Sequence, residues 1–183
     1  MFTANCSLGG VESIVSERLE LRPMTVEFLD ALLDPDRNES ALEVPAGWPD
    51  EHDRRFLENR RRELHSRPEL LGWLVYAVIR DGRLVGHAGF HGPPGRNARN
   101  DEEAVELGYA IFPTHRRRGY ATEAARALVG WAHREHGIRR FLFSISPDNE
   151  PSLAIARRLG FSEVGRHWDD EDGEELEFEL RVR

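Results

Sequence analysis

The chain has 183 residues, 39% of them apolar and 32% charged, which suits one soluble globular domain with a proper core rather than a disordered segment. Its formal net charge of −8 argues against a general nucleic-acid binder and favours cationic partners. Lysine is absent and all 25 basic residues are arginine, which excludes a pyridoxal Schiff base, a Walker-A lysine and a biotinyl or lipoyl attachment.

A single cysteine, Cys6, excludes an internal disulfide framework and a Cys-rich metal site, and suits a reducing compartment. No apolar run approaches the roughly 20 residues of a membrane span. The N-terminus lacks a basic, apolar and small-residue succession, so no secretory signal is read. A cytoplasmic protein without membrane or nucleic-acid partners, monomeric or homodimeric, is expected.

Residues 1–16 carry no clear period and read as an extended arm, with a single domain over 17–183. Arg18 to Arg22 alternates as a strand ending at Pro23. Thr25 caps a short helix reaching Leu33, with Phe28, Leu29 and Leu32 inward. A second helix runs from about Glu51 to His65, with Phe56, Leu57 and Leu64 as its apolar contacts and its arginines and glutamates on a solvated face. Leu71 to Ile79 is strand-like, Asp81-Gly82 makes a two-residue turn, and Leu84 to Phe90 returns antiparallel. After a connection at 92–100, Val105 to Phe112 is a strand closed by Pro113.

The next helix places Ala121, Ala124, Ala125, Leu128, Val129 and Ala132 on one apolar stripe and ends near His136, with Gly137 as its stop. Between strand and helix lie Arg116, Arg117, Arg118, Gly119, Tyr120 and Ala121. Gly119 permits a tight turn, Ala121 permits close approach to the first helical turn, and free N–H groups, helix dipole and guanidinium groups make an anion site. Its chemistry suits a diphosphate. Arg140 to Ser146 reads as a strand, Asn149 to Leu159 as a helix, and Phe161–Trp168 with Leu176–Val182 as a hairpin around an acidic turn.

This order resembles the GNAT superfamily of acyl-CoA-dependent N-acetyltransferases. The resemblance rests on Arg116-x-x-Gly119-x-Ala121 between strand and helix, which matches the family's Q/R-x-x-G-x-G/A motif, and on Asn149-Glu-Pro-Ser152 leading to Leu159-Gly160-Phe161. With Glu106-Leu-Gly-Tyr109 and Gly119-Tyr-Ala-Thr-Glu-Ala124, the chain looks most like the Rim-type branch of ribosomal-protein N-terminal acetyltransferases. The resemblance implies a mixed α/β (α+β) fold, with a mostly antiparallel twisted sheet of about seven strands, a splayed parallel pair in its middle and helices on both faces. It also implies acetyl-CoA as acetyl donor and an amine acceptor, either a protein N-terminus or a small molecule. A catalytically weak acyl-CoA-binding domain is the alternative of another class.

By the same resemblance, backbone around Ile111 and Phe112 pairs with the pantetheine arm, the diphosphate sits on residues 116–121 with Thr122 close by, and Asn149 meets the arm. Backbone N–H groups of the splayed strand then meet the oxyanion. The acceptor amine must be neutral to attack, so a base is needed. Glu106 is one candidate, and a solvated or arginine-paired carboxylate is its plain alternative. The Rim-type branch points instead to the final hairpin, where Glu171 is the nearest match beside Asp169 and Asp170, although such a run is also a natural turn. The usual acid, a tyrosine in the last helix, is replaced by Ala156, and Ser152 takes the Rim-type serine's place. Both Ser152 and Asn149 can equally serve as helix-start residues. Tyr109 and Tyr120 read as wall or packing residues. His87 and His91 either line an acceptor pocket or are half-buried, and Trp48 and Phe56 form a lid or simply pack. His133 and His136 lack companion ligands, so no metal site is expected.

Overall fold

The computed structural model describes residues 11–34, 42–170 and 173–183. Its strands are β1 (Ile14–Val15), β2 (Glu20–Pro23), β3 (Val75–Arg80), β4 (Arg83–Phe90), β5 (Ala104–Ile111), β6 (Arg140–Ile145), β7 (Ser162–Asp169) and β8 (Gly173–Arg181). They form an 8-stranded sheet in the order β1-β2-β3-β4-β5-β6-β8-β7. Every pairing is antiparallel except β5 with β6. The helices are α1 (Val26–Leu33), α2 (Glu51–Ser66), α3 (Tyr120–His136) and α4 (Glu150–Leu159). No helix among the described residues is long and apolar enough to cross a membrane.

Local chemistry sets the helix ends. Thr25 Oγ1 accepts from the Phe28 N–H at 3.2 Å and Asp50 Oδ1 from the Asp53 N–H at 2.9 Å, so both early helices begin on a side-chain cap. Gly137 and Gly160 end α3 and α4 in the left-handed conformation that releases the chain from a helix. Alternation along the strands then divides the core between the two faces of the sheet. One face packs Leu21, Tyr76, Val85, Leu107 and Phe141 with Leu128 of α3 and Leu153 of α4. The other packs Val75, Ala77 and Leu84 with Leu29 of α1 and with Leu57 and Leu64 of α2.

Two boundaries differ from the expected ones for physical reasons. The apolar run from Leu71 does not start as a strand, because a 3-10 turn at Pro68–Leu70 leads into Gly72 at φ +91, and the Tyr76 hydroxyl donates to the Gly72 carbonyl. Burial rather than extension accounts for that run. At the N-terminus, Ile14 and Val15 pair with Leu21 and Glu20, and Ser16 turns back on Leu19. The last residues of the segment read as an arm therefore form an edge strand, and Arg18 sits in the turn rather than in β2. Residues 1–10 lie outside the described part.

The feature that shapes the site is the brevity of the parallel ladder. Only Ala104, Val105 and Glu106 of β5 pair with Arg140, Phe141 and Leu142 of β6, although both strands continue. Beyond Glu106 the sheet opens, and Tyr109 and Phe143 meet edge to face across the parting at 5.8 Å.

Gly89 tests the packing of β3 on β4. A Cβ there would lie 1.7 Å from the Leu74 carbonyl oxygen, a backbone atom that also accepts from the Phe90 N–H. Gly89→Ala is expected to cost about 3 kcal/mol or more, lowering the urea midpoint. Gly82→Ala, in the open β3–β4 turn at φ +75 with nothing within 4 Å, should cost only about 1–2 kcal/mol.

Candidate active site

The turn read as an anion site opens α3 at Gly119. The first ladder bond of α3 runs from the Glu123 N–H to the Gly119 carbonyl, so the N–H groups of Tyr120, Ala121 and Thr122 precede the ladder, and no side chain among the described residues caps them. Gly119 at φ +81 and Arg117 at φ +60 curl the loop beneath these donors. The Tyr120 and Thr122 side chains are buried in the core, so they can serve a ligand only through backbone. Arg116, Arg117 and Arg118 are exposed. Arg116 Nε donates to the Ile111 carbonyl at 2.9 Å, and Arg118 to the Thr114 carbonyl at 3.3 Å.

Arg18 braces this turn, a role its sequence position does not signal. Its guanidinium donates to the Arg118 carbonyl at 3.0 Å, pairs with Glu123 at 2.6 Å and lies over the Tyr120 ring. Burial pushes the Glu123 carboxyl up, but hydrogen bonds from Ser16 and Arg18 outweigh it and hold the carboxyl below its ordinary range.

Beside the turn runs the open edge of β5. The Phe112 N–H donates to the Val85 carbonyl and the Glu106 carbonyl accepts from the His91 N–H, so even-numbered residues bond toward β4. Odd-numbered Tyr109 and Ile111 therefore point their backbone groups into the parting, where Arg116 covers the Ile111 carbonyl. Of the two residues expected to pair with a ligand arm, Ile111 fits. Phe112 does not: its N–H is spent on β4, and its ring is buried against Trp48 at 5.2 Å.

Glu106 occupies the last rung before the parting and is 1% exposed. It is not solvated, and no arginine among the described residues pairs with it. One oxygen accepts from the Ser144 hydroxyl of β6, and the other from the Ala98 N–H at 2.7 Å, with His91 Nδ1 at 3.6 Å. His91, with half its side chain exposed, stands between Glu106 and a cavity of about 120 Å³ lined by Phe56, Arg60, His87, Phe90 and Gly108. The protein atoms crowded round its ring lower the His91 pKa below the ordinary histidine value; Glu106 opposes the shift, while Arg60 and Arg96 add to it. His87 also lines the cavity, 3.8 Å from Asp53 and stacked on Phe56. Trp48 is a core residue.

The opposite face carries the other candidates. Asn149 caps α4 by accepting from the Ser152 N–H at 3.2 Å. The Tyr109 hydroxyl is buried, without a well-formed hydrogen bond among the described residues, and Ser152 is its polar neighbour. Burial pushes the Tyr109 phenol up, and Ser152 pulls it back in part. Glu171 lies outside the described residues. On the same hairpin, sequence reasoning missed Glu177: it is buried, sits in register with Ser144 and lies 3.1 Å from His167 Nδ1. Strand pairing alone brings Glu106, Ser144 and Glu177 together, so no sequence spacing reveals them. His133 bonds the Ile138 carbonyl and His136 packs on Trp73 and Trp131; no cluster able to hold a metal occurs among the described residues.

Residues 18–162 match the acetyltransferase (GNAT) domain. The chain belongs to the GNAT family. It is 28% identical over 163 residues to YjdG, an uncharacterized N-acetyltransferase of Bacillus subtilis, covering 84% of this chain and 94% of the relative. It is 26% identical over 153 residues to the ribosomal-protein-serine acetyltransferase of Escherichia coli, covering 80% of each. Among solved structures, RimL, a ribosomal L7/L12 alpha-N-protein acetyltransferase in complex with coenzyme A, superposes with a TM-score of 0.65 at 23% identity, covering 93% of this chain and 98% of that one. This GNAT domain is thus an acyltransferase that uses acetyl-CoA, and the uncapped α3 turn and open β5 edge fit that donor.

The depressed His91 value has a consequence for stability. The unfolded chain, with histidine near 6.5, binds a proton before the folded one does. Stability from keeping His91 neutral is therefore full above about pH 6.5 and is lost as pH falls through the folded value. Compared with His91→Asn, the wild type should lose more stability between about pH 7.5 and 5, seen as a steeper fall of its urea midpoint.

Proposed function

We propose that this enzyme acetylates a primary amine by direct attack within a ternary complex, with His91 and Glu106 taking the amine proton. The observation that carries this is the placement of Glu106, buried at the last rung where β5 leaves β6, with His91 between it and a cavity. Acetyl-CoA supplies the activated acyl group. The N–H groups of Tyr120–Thr122 hold its diphosphate, assisted by the exposed Arg116–Arg118, and the open edge at Tyr109 and Ile111 orients the pantetheine arm.

Alternation along β5 separates the two substrates. Glu106 and His91 face the α2 side, while Tyr109 faces α4 and Ser152, so the amine enters from one face and the thioester lies on the other. Fixing both across the parting can contribute on the order of 7–11 kcal/mol in favourable cases. As the C–N bond forms, the proton leaving nitrogen passes to His91, which Glu106 orients and stabilises as a cation. A backbone N–H on the open edge donates to the carbonyl oxygen as charge develops there. As the C–S bond breaks, Ser152 supplies a proton to sulfur, with the Tyr109 hydroxyl behind it. In this role Ser152 replaces the tyrosine that Ala156 lacks. The ribosomal-protein relatives favour a peptide α-amine as acceptor.

Thiol release from acetyl-CoA against a panel of peptides with free or blocked N-termini tests this proposal. Release with free N-termini alone is expected. Glu106→Gln and His91→Asn should each lower kcat by about 10²-fold or more, with coenzyme A affinity held within about threefold. Binding of coenzyme A without thiol release from any amine would instead identify a sensing domain. Full activity in both variants would remove the pair from the mechanism.

A further inference from the structure

The α2 face of the site carries more positive charge than either the acetyl donor or the proton transfer requires. Outside the His91 cavity lies a wider recess of about 480 Å³, and Phe56 and Arg60 line both. Three guanidinium groups border this recess, those of Arg60, Arg62 and Arg96, against the single carboxylate of Glu63. Glu63 is shared: one oxygen takes Arg60 at 3.0 Å and the other takes Arg96. Burial pushes the Glu63 carboxyl up, but Arg96 and Arg60 hold it below the ordinary range. Among the described residues, Arg62 bonds the neutral Asn59 side chain and pairs with no carboxylate. Two positive charges are therefore left over at the mouth of the site, in a chain whose net charge is −8.

We propose that the acceptor is an amine that also carries a carboxylate, the amine reaching His91 and the carboxylate held by Arg60 and Arg96 at the mouth. This rests on the acetyltransfer proposed above and deepens it. Arginine presents paired N–H donors that match a carboxylate in two-point geometry, and Arg60 is held in place over the Phe56 ring at 5.2 Å. Both arginines lie close enough to His91 to lower its proton affinity. An anion bound between them cancels that push, so the correct acceptor makes His91 a better base as it arrives.

Matched acceptors that differ only in carboxylate against carboxamide provide the test, offered both as free amino acids and as short peptides with the acidic residue near the N-terminus. The acid is expected to exceed its amide at least tenfold in kcat/KM, and whichever series shows the larger ratio identifies the source, small molecule or peptide. The ratio should fall toward one in Arg60→Gln and Arg96→Gln, fall only part of the way in Arg96→Lys, which keeps the charge but not the paired donors, and shrink as salt is raised. Equal or better use of amides or of basic acceptors overturns the proposal, and so does a ratio that neither glutamine variant moves. Thiol release without acid preference removes only the anionic acceptor. No thiol release with any amine removes both this proposal and the acetyltransfer on which it rests.

Discussion

Glu106 closes the parallel ladder between β5 and β6, and its carboxylate is tied to both sides of the parting that begins there. Ser144 of β6 donates to one oxygen, and the 92–100 connection donates to the other through the Ala98 N–H. A buried carboxylate without such partners would be costly, so the bonds fix where β5 separates from β6. Once the strands part, the edge groups of Tyr109 and Ile111 lose strand partners, and a gap runs through the sheet from the α2 face to the α4 face. The proposed donor site, the His91 cavity and the Ser152–Tyr109 pair are arranged around that gap.

The second constraint is the start of α3. A helix that begins on a left-handed glycine has no side chain to satisfy its first N–H groups, and here Arg18 and Glu123 stiffen the turn without covering them. Burying Tyr120 and Thr122 keeps the turn rigid while leaving the donors open. The helix dipole and the exposed arginines add to the same field. The anion binding proposed at this point thus rests on what the turn lacks as much as on the residues it contains.

Much of this was legible in the chain. Thr25, Gly119, Gly137 and Gly160 mark helix ends through chemistry that acts within a few residues, and the period of α3 names its buried stripe. Misread parts depend on contacts distant in sequence. Leu71, Trp73 and Leu74 are apolar because they pack against the core, not because they are extended. Phe112 looked like a ligand contact, yet the register of β4 turns its N–H away. The choice at Glu106 between solvent, arginine and catalysis rested on Ser144, Ala98 and His91, which only strand pairing brings near. Arg60 reads as part of a solvated face and Arg96 as part of a connection, and Glu63 draws them together at one recess.

A crystal structure of the enzyme with coenzyme A measures most directly whether the parting of β5 and β6 is the donor site. Density for the diphosphate against the Tyr120, Ala121 and Thr122 N–H groups, with the pantetheine arm bonded along Tyr109 and Ile111 and its sulfur on the Ser152 side of the gap, is the expected result. Coenzyme A bound elsewhere, with the Gly119 turn empty and the β5 edge unpaired, would contradict it.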